Sequence, residues 1–144
     1  MIIAVDFDGT IVENSYPRIG REIPLAFQSL IKIQKIYKHQ LILWSFREGE
    51  LLQEAIDFCM ERGLIFYAIN QNDSSEKSVS GPRKLIADLF IDNHNLGGIP
   101  DWNLIYEMIE NQTSLCNYEK VYRNALDGRQ INSQGIINTH QHLV

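Results

Sequence analysis

The sequence predicts a doubly wound α/β domain, a parallel sheet with flanking helices. Three observations carry this reading: short unbroken apolar runs, helical periodicity between them, and polar residues gathered where the runs end. The runs are Ile2 to Val5, Leu41 to Trp44, Leu64 to Ile69 and Leu89 to Ile91. Runs of this kind suit strands buried on both faces of a parallel sheet. Their alternation with helical segments calls for βαβ units with right-handed crossovers.

The elements follow in order. Pro24 suits the first turn of a helix, where its missing N–H costs nothing, and Leu30, Ile31, Ile33 and Tyr37 recur at near-helical spacing up to Lys38. A second helix is expected from about Glu50 to Arg62, with Leu51, Leu52, Ala55, Ile56 and Cys59 on one face and Gly63 closing it in a left-handed conformation. A third runs from Asp101, as N-cap, to about Glu110. Between the first strand and first helix, Glu13 to Ile23 is polar with Pro17 and Gly20 inside it, a loop or short hairpin. Residues 1–112 then form the core. Residues 113–144 form a polar extension rich in Asn, Gln and Ser, with one helix over Tyr118 to Leu126 and weak order from Gly128 onward.

A chain of 144 residues is expected to fold as one core that buries about 68–70% of its unfolded surface. Cys59 and Cys116 show neither disulfide-framework nor zinc-ligand spacing, which fits a reducing, cytoplasmic setting. Asp6 interrupts the first apolar run too early for a signal peptide, and no run reaches the roughly 18 apolar residues of a membrane span. The net charge of −5 gives no electrostatic reason for a polyanionic partner, so nucleic acid is disfavoured.

In doubly wound sheets ligands bind beyond the carboxyl ends of the strands. Those ends here read Asp6-Phe7-Asp8-Gly9-Thr10, then Ser45-Phe46-Arg47-Glu48-Gly49, then Asp92-Asn93. Three carboxylates, Asp6, Asp8 and Asp92, converging in a tight space raise one another's pKa unless a cation neutralises them, and hard oxygen ligands suit Mg²⁺.

The DFDGT stretch resembles the DxDxT signature of the haloacid dehalogenase-like (HAD) phosphohydrolases, and the resemblance covers residues 1–110 in order and spacing. With LWSFREGELLQEAIDFCMERGL and LFIDNHNLGG, the chain is similar to the small capless members known from bacterial genomes, those of Bacteroides among them. The resemblance implies a Rossmann-like core and a Mg²⁺-dependent phosphomonoester hydrolase working through an aspartyl-phosphate. Asp6 would be the nucleophile and Asp8 the group that protonates the leaving alkoxide and then activates water. Ser45 would donate to a phosphate oxygen, and Lys84, with Lys77 as the alternative, would stabilise charge on nucleophile and phosphate. Asp6, the backbone carbonyl of Asp8, and Asp92 would ligate Mg²⁺. Strand alternation keeps residues 6 and 8 on one side and turns Phe7 into packing, Gly9 permits a sharp exit, and Thr10 braces the loop.

One departure is Asn93, where many relatives carry a second acid; metal binding is expected to survive, weakened. Asp88 lies at the other end of its strand, about 13 Å from Asp92, and reads as structural. Arg47 either reaches substrate from the loop after the second strand or pairs at the surface with Glu48 or Glu50. Arg18 and Arg21 either grip a second substrate anion or, the better reading, belong to a solvated loop. His94 reads as a loop residue, His140 and His142 as tail residues, and Trp44 and Trp102 as packing. The intervals after the first and second motifs are spent on single helices and short loops, which leaves no room for a cap domain. An open site accepts a phosphorylated substrate on a bulky carrier or is covered by a neighbouring subunit in a homo-oligomer. Two rival readings stand beside this one: a phosphatase for nucleic-acid 3′ ends, and a catalytically silent phosphate-binding module.

Overall fold

The apolar runs do pair as parallel strands. The computed structural model describes residues 1–73 and 84–111, together with two short strands at 130–131 and 137–138. Strands β1 (Ile2–Val5), β2 (Gln40–Leu43), β3 (Ala68–Ile69) and β4 (Leu89–Ile91) form one all-parallel sheet in the order β3-β2-β1-β4. Val5 stands level with Leu43 on one side and with Ile91 on the other, so three strands end in register. The third strand is shorter than its apolar run because Leu64 still serves the preceding helix, donating its N–H to the Cys59 carbonyl.

Helices α1 (Ala26–Lys35), α2 (Gly49–Glu61) and α3 (Trp102–Glu110) flank the sheet. The first is shorter than its periodicity suggests. Leu25 and Lys38 both adopt left-handed backbone, at φ 67° and 57°, and close it off at either end. Helix α2 ends as expected: Gly63, at φ 79°, donates to Met60 and Leu64 to Cys59, the bond pair of a Schellman cap. Asp101 caps α3 by accepting the N–H groups of Asn103 and Leu104 at 3.0 and 3.2 Å.

Two successive steps in one direction, β1 to β2 to β3, put α1 and α2 on the same face when crossovers are right-handed. The rings of Phe27 and Phe58 meet there at 6.0 Å. Helix α3 adjoins α1, with the Ser29 hydroxyl donating to the Trp102 carbonyl and the Tyr37 and Tyr106 rings 6.0 Å apart. Beneath these helices Ile3, Val5, Leu41 and Leu43 are fully buried, each worth roughly 1.5–3 kcal/mol. The step from β3 to β4 then crosses the whole sheet in the reverse direction, which reverses the winding, and no cap domain stands among the described residues. The opposite sheet face carries Ala4, Ile42 and Ala68 under Leu85, edged by Trp44, Tyr67 and Phe90.

The chain divides into two compact units, Met1–Tyr106 and Glu107–Val144. In the second, β5 (Gln130–Ile131) and β6 (Ile137–Asn138) pair antiparallel, where the sequence reading anticipates no strand. The expected helix over Tyr118 to Leu126, the tail residues His140 and His142, and Lys77 lie outside the described residues. Among the described residues no helix is long and apolar enough to cross a membrane.

Asp88 ties the amino end of the sheet together. Its carboxylate accepts the Ile2 N–H at 2.7 Å and its own N–H donates to the Ile2 carbonyl at 2.8 Å. Asp88→Ala is expected to lower stability by about 1 kcal/mol, measured by urea unfolding, and to leave the chemistry at the opposite sheet edge unchanged.

Candidate active site

The direction of winding reverses between β1 and β4, and the crevice at their carboxyl ends is where this architecture binds ligands. Asp6 continues β1 by one residue, its N–H donating to the Ile91 carbonyl at 2.9 Å. Asp92 continues β4 beside it. The two carboxylates repel each other there.

After Phe7 the chain turns sharply. The Phe7 carbonyl accepts from the N–H groups of Thr10, Ile11 and Val12, and Gly9 donates to the Val12 carbonyl at 2.7 Å. Only glycine fits at residue 9: its φ is +86°, and an added Cβ would stand 2.5 Å from Nδ2 of Asn93. Thr10 is completely buried. Its hydroxyl donates to Oδ2 of Asp6 at 2.9 Å and accepts the Asn93 N–H at 3.1 Å. A hydroxyl has one proton, so its 3.4 Å approach to the Asn93 Oδ1 is secondary. The indole of Trp102 donates to the Thr10 carbonyl at 3.1 Å, so a residue read as packing also fixes the loop after β1. Phe7 points into packing as expected, its ring 6.2 Å from that of Phe58.

Beyond the turn, residues 11–23 fold back as a short hairpin. Ile23 N–H donates to the Ile11 carbonyl and Glu13 N–H to the Arg21 carbonyl. Arg21 pairs with Glu13 through two bonds of 2.9 and 3.0 Å in solvent, the solvated-loop alternative.

Arg47 departs from the surface alternative. Its side chain is fully buried, where pairing with Glu48 or Glu50 at the surface would have it exposed. Nε and Nη2 donate to the two oxygens of Asp8 at 2.6 and 2.7 Å, a bidentate fork. Nη1 donates to the Pro17 carbonyl at 2.9 Å and Nη2 also to the Arg18 carbonyl at 3.0 Å. The guanidinium lies between the rings of Phe7 and Tyr16, 5.2 and 5.3 Å from their centroids. Hydrogen bonding to Asp8 raises the pKa of Arg47 above its ordinary value. The physical reason is the burial of Asp8: a carboxylate out of water needs a paired cation, and removing one partner of such a pair costs about 3–5 kcal/mol.

Asp6 has no such partner. Burial, with the charges of Asp92 and Asp8 adding to it, pushes its carboxyl up to about 6 against the opposing bonds from Thr10 and the Phe7 backbone. The three acids do not, however, form the converging side-chain cluster read from the sequence: among the described residues no three His, Cys, Asp or Glu side chains are grouped to hold a metal ion. Asp8 has turned its carboxylate to Arg47. What fits a hard cation is the mixed set of Asp6, Asp92 and the backbone carbonyl of Asp8, which takes no part in the bonds that close the turn. Asp92 is partly held, its Oδ1 accepting the His94 N–H at 2.7 Å, while the His94 ring stands in solvent as a loop residue.

Ser45 follows β2. Its hydroxyl oxygen accepts the Arg47 N–H at 3.2 Å, which leaves its own proton to donate. Asn70 was missed in the sequence: it accepts the Ser45 N–H and donates to the Ser45 carbonyl, both at 2.8 Å, from a left-handed backbone at φ 52°. Reading the end of the third strand as the other three are read points straight to it. Lys84 is exposed, and its Nζ lies 5.6 Å over the ring of Phe90. Alternation puts Phe90 and Asp92 on one side of the strand, the side that bears Asp6.

In the metal-free protein the folded chain keeps a proton on Asp6 that the unfolded chain, with its carboxyl near 3.8, has already lost between those values. The stability associated with Asp6 is thus fully present below about pH 4 and is lost as the pH rises to about 6, a loss of at most about 3 kcal/mol. Asp6→Asn cannot ionise. In EDTA at pH 7.5 it is expected to unfold at higher urea than the parent chain, with the difference vanishing toward pH 4.

No family model matches the chain, and no curated protein matches it. A solved structure from Bacteroides thetaiotaomicron, described as a conserved protein, is 59% identical; the match covers 81% of this chain and 94% of that one, with a TM-score of 0.73. The chain therefore shares its fold with that conserved Bacteroides protein and belongs to its family.

Proposed function

We propose that the chain is a Mg²⁺-dependent phosphomonoester hydrolase of the HAD superfamily, acting through an aspartyl-phosphate on Asp6. The observation that carries this reading is Asp6 itself. It is a buried carboxylate at the switch point of the sheet, steered by one hydroxyl and burdened by burial and two neighbouring acids.

The chemistry follows from the residues in place. An Asp6 oxygen forms a bond to phosphorus as the bond to the leaving oxygen breaks, with Thr10 holding the other carboxylate oxygen. Asp8 gives a proton to the leaving alkoxide. Its fork with Arg47 uses two of about four lone-pair sites and leaves the others to carry that proton. In the second half Asp8 takes a proton from water as the water oxygen attacks phosphorus, the bond from Asp6 to phosphorus breaks, and phosphate departs. Ser45 donates to a phosphate oxygen, and Lys84 supplies positive charge from the Phe90 side. Bound Mg²⁺ would neutralise charge between Asp6 and the incoming phosphate. Asn93, an amide where a second acid is usual in the superfamily, adds no further negative charge beside Asp6.

The rival is a catalytically silent phosphate-binding module, and the commitment of both Asp8 oxygens to Arg47 is the observation in its favour. Hydrolysis of p-nitrophenyl phosphate separates them. Turnover that requires Mg²⁺, stops in EDTA and is abolished in Asp6→Asn is expected, with Asp8→Asn slower by about 10²–10⁴. Equal rates in the parent chain and Asp6→Asn would refute the reading.

A further inference from the structure

We infer that Arg47 is a positioning residue that makes closure of the 11–23 hairpin and correct placement of Asp8 a single event; its catalytic consequence rests on the phosphatase reading. Three kinds of contact meet on this one guanidinium. It holds both oxygens of Asp8 and the carbonyls of Pro17 and Arg18 at the tip of the hairpin, and it packs between Phe7 of the DFDGT loop and Tyr16 of the hairpin.

Within the described residues the tip has one further tie to the loop after β2, the Tyr16 ring lying 4.9 Å from that of Phe46. The base of the hairpin is held by backbone bonds of Glu13 and Ile23, and by Glu22 accepting Arg62 at 2.6 Å, all far along the chain from its tip. The carbonyls of Pro17 and Arg18 at the tip are held by Arg47. A fork has a defined plane, so it fixes the Asp8 carboxylate in rotation as well as in place, which a single ammonium point charge cannot do. The fork also explains why a side chain just past Ser45 is buried at all: Arg47 N–H returns to the Ser45 hydroxyl, so the phosphate-facing loop after β2 and the hairpin share one anchor.

The leaving group provides a readout that a merely structural role would not move. An Asp8 held in place matters most for an ester whose leaving oxygen needs a proton. Phenyl phosphate, leaving as a phenol of pKa about 10, needs one more than p-nitrophenyl phosphate does. In Arg47→Lys we expect turnover of phenyl phosphate to fall by about 10²-fold or more and that of p-nitrophenyl phosphate by less than about tenfold. Backbone amides of residues 13–21 should exchange hydrogen faster while those of β1 keep their protection. Tyr16→Ala, which removes a half-exposed ring from the guanidinium and from Phe46 while leaving the Asp8 fork in place, should shift both readouts the same way by less, and it serves if the lysine variant does not fold. Equal losses on the two esters, or hairpin exchange unchanged from the parent chain, would overturn the inference. If the parent chain hydrolyses neither ester, the phosphatase reading fails separately, and hairpin exchange alone then decides whether Arg47 is the latch.

Discussion

Parallel strands carry their carboxyl ends to one edge, and here that edge must accommodate Asp6, Asp8 and Asp92, the first two with little water to screen them. Everything around the crevice answers this constraint, and each acid is answered differently. Asp8, the most deeply placed, is neutralised by a buried arginine that also fastens the hairpin. Asp92 remains partly in solvent and takes a backbone N–H. Asp6 receives only the Thr10 hydroxyl and the Phe7 backbone, and burial, with Asp92 and Asp8 adding to it, pushes its carboxyl up to about 6 against them. The uncompensated charge thus sits on the residue assigned the chemistry, which is where a bound cation would have the most effect.

The supports are layered behind that residue. Thr10 orients Asp6, and Asn93 and Trp102 hold Thr10 by its hydroxyl and its carbonyl. Gly9 allows Asn93 to come close enough to do so, since any side chain there would collide with the amide. A second layer runs from Asn70 through the Ser45 backbone to Arg47 and Asp8. The end of β1 is therefore locked by the Asn93 backbone after β4 and the end of β2 by the Asn70 side chain after β3, and the sheet's common register makes this possible.

How much of this was legible in the sequence depended on the range of the interaction involved. Strand positions, the Gly63 closure and the Asp101 cap follow from local patterns and are visible in the sequence. Helix α1 is shorter than its pattern because Leu25 and Lys38 take left-handed backbone, which no periodicity reveals. Asp6, Asp8 and Asp92 could be placed at one edge from topology alone, yet nothing local tells that Asp8 faces a cation donated from a position 39 residues away. Arg47 was misjudged for that reason: an arginine in a polar loop looks exposed until the fold brings a buried carboxylate to it. Asn70 was within reach, standing at a strand end like the others.

The central claim is that Asp6 forms a covalent bond to phosphorus, and beryllofluoride tests it most directly because it mimics a phosphoryl group on a carboxylate. The account predicts a ¹⁹F signal of a bound beryllofluoride in the full chain with Mg²⁺, absent in EDTA and absent in Asp6→Asn. A bound signal that persists in Asp6→Asn, or no bound signal in the parent chain with Mg²⁺ present, would contradict it.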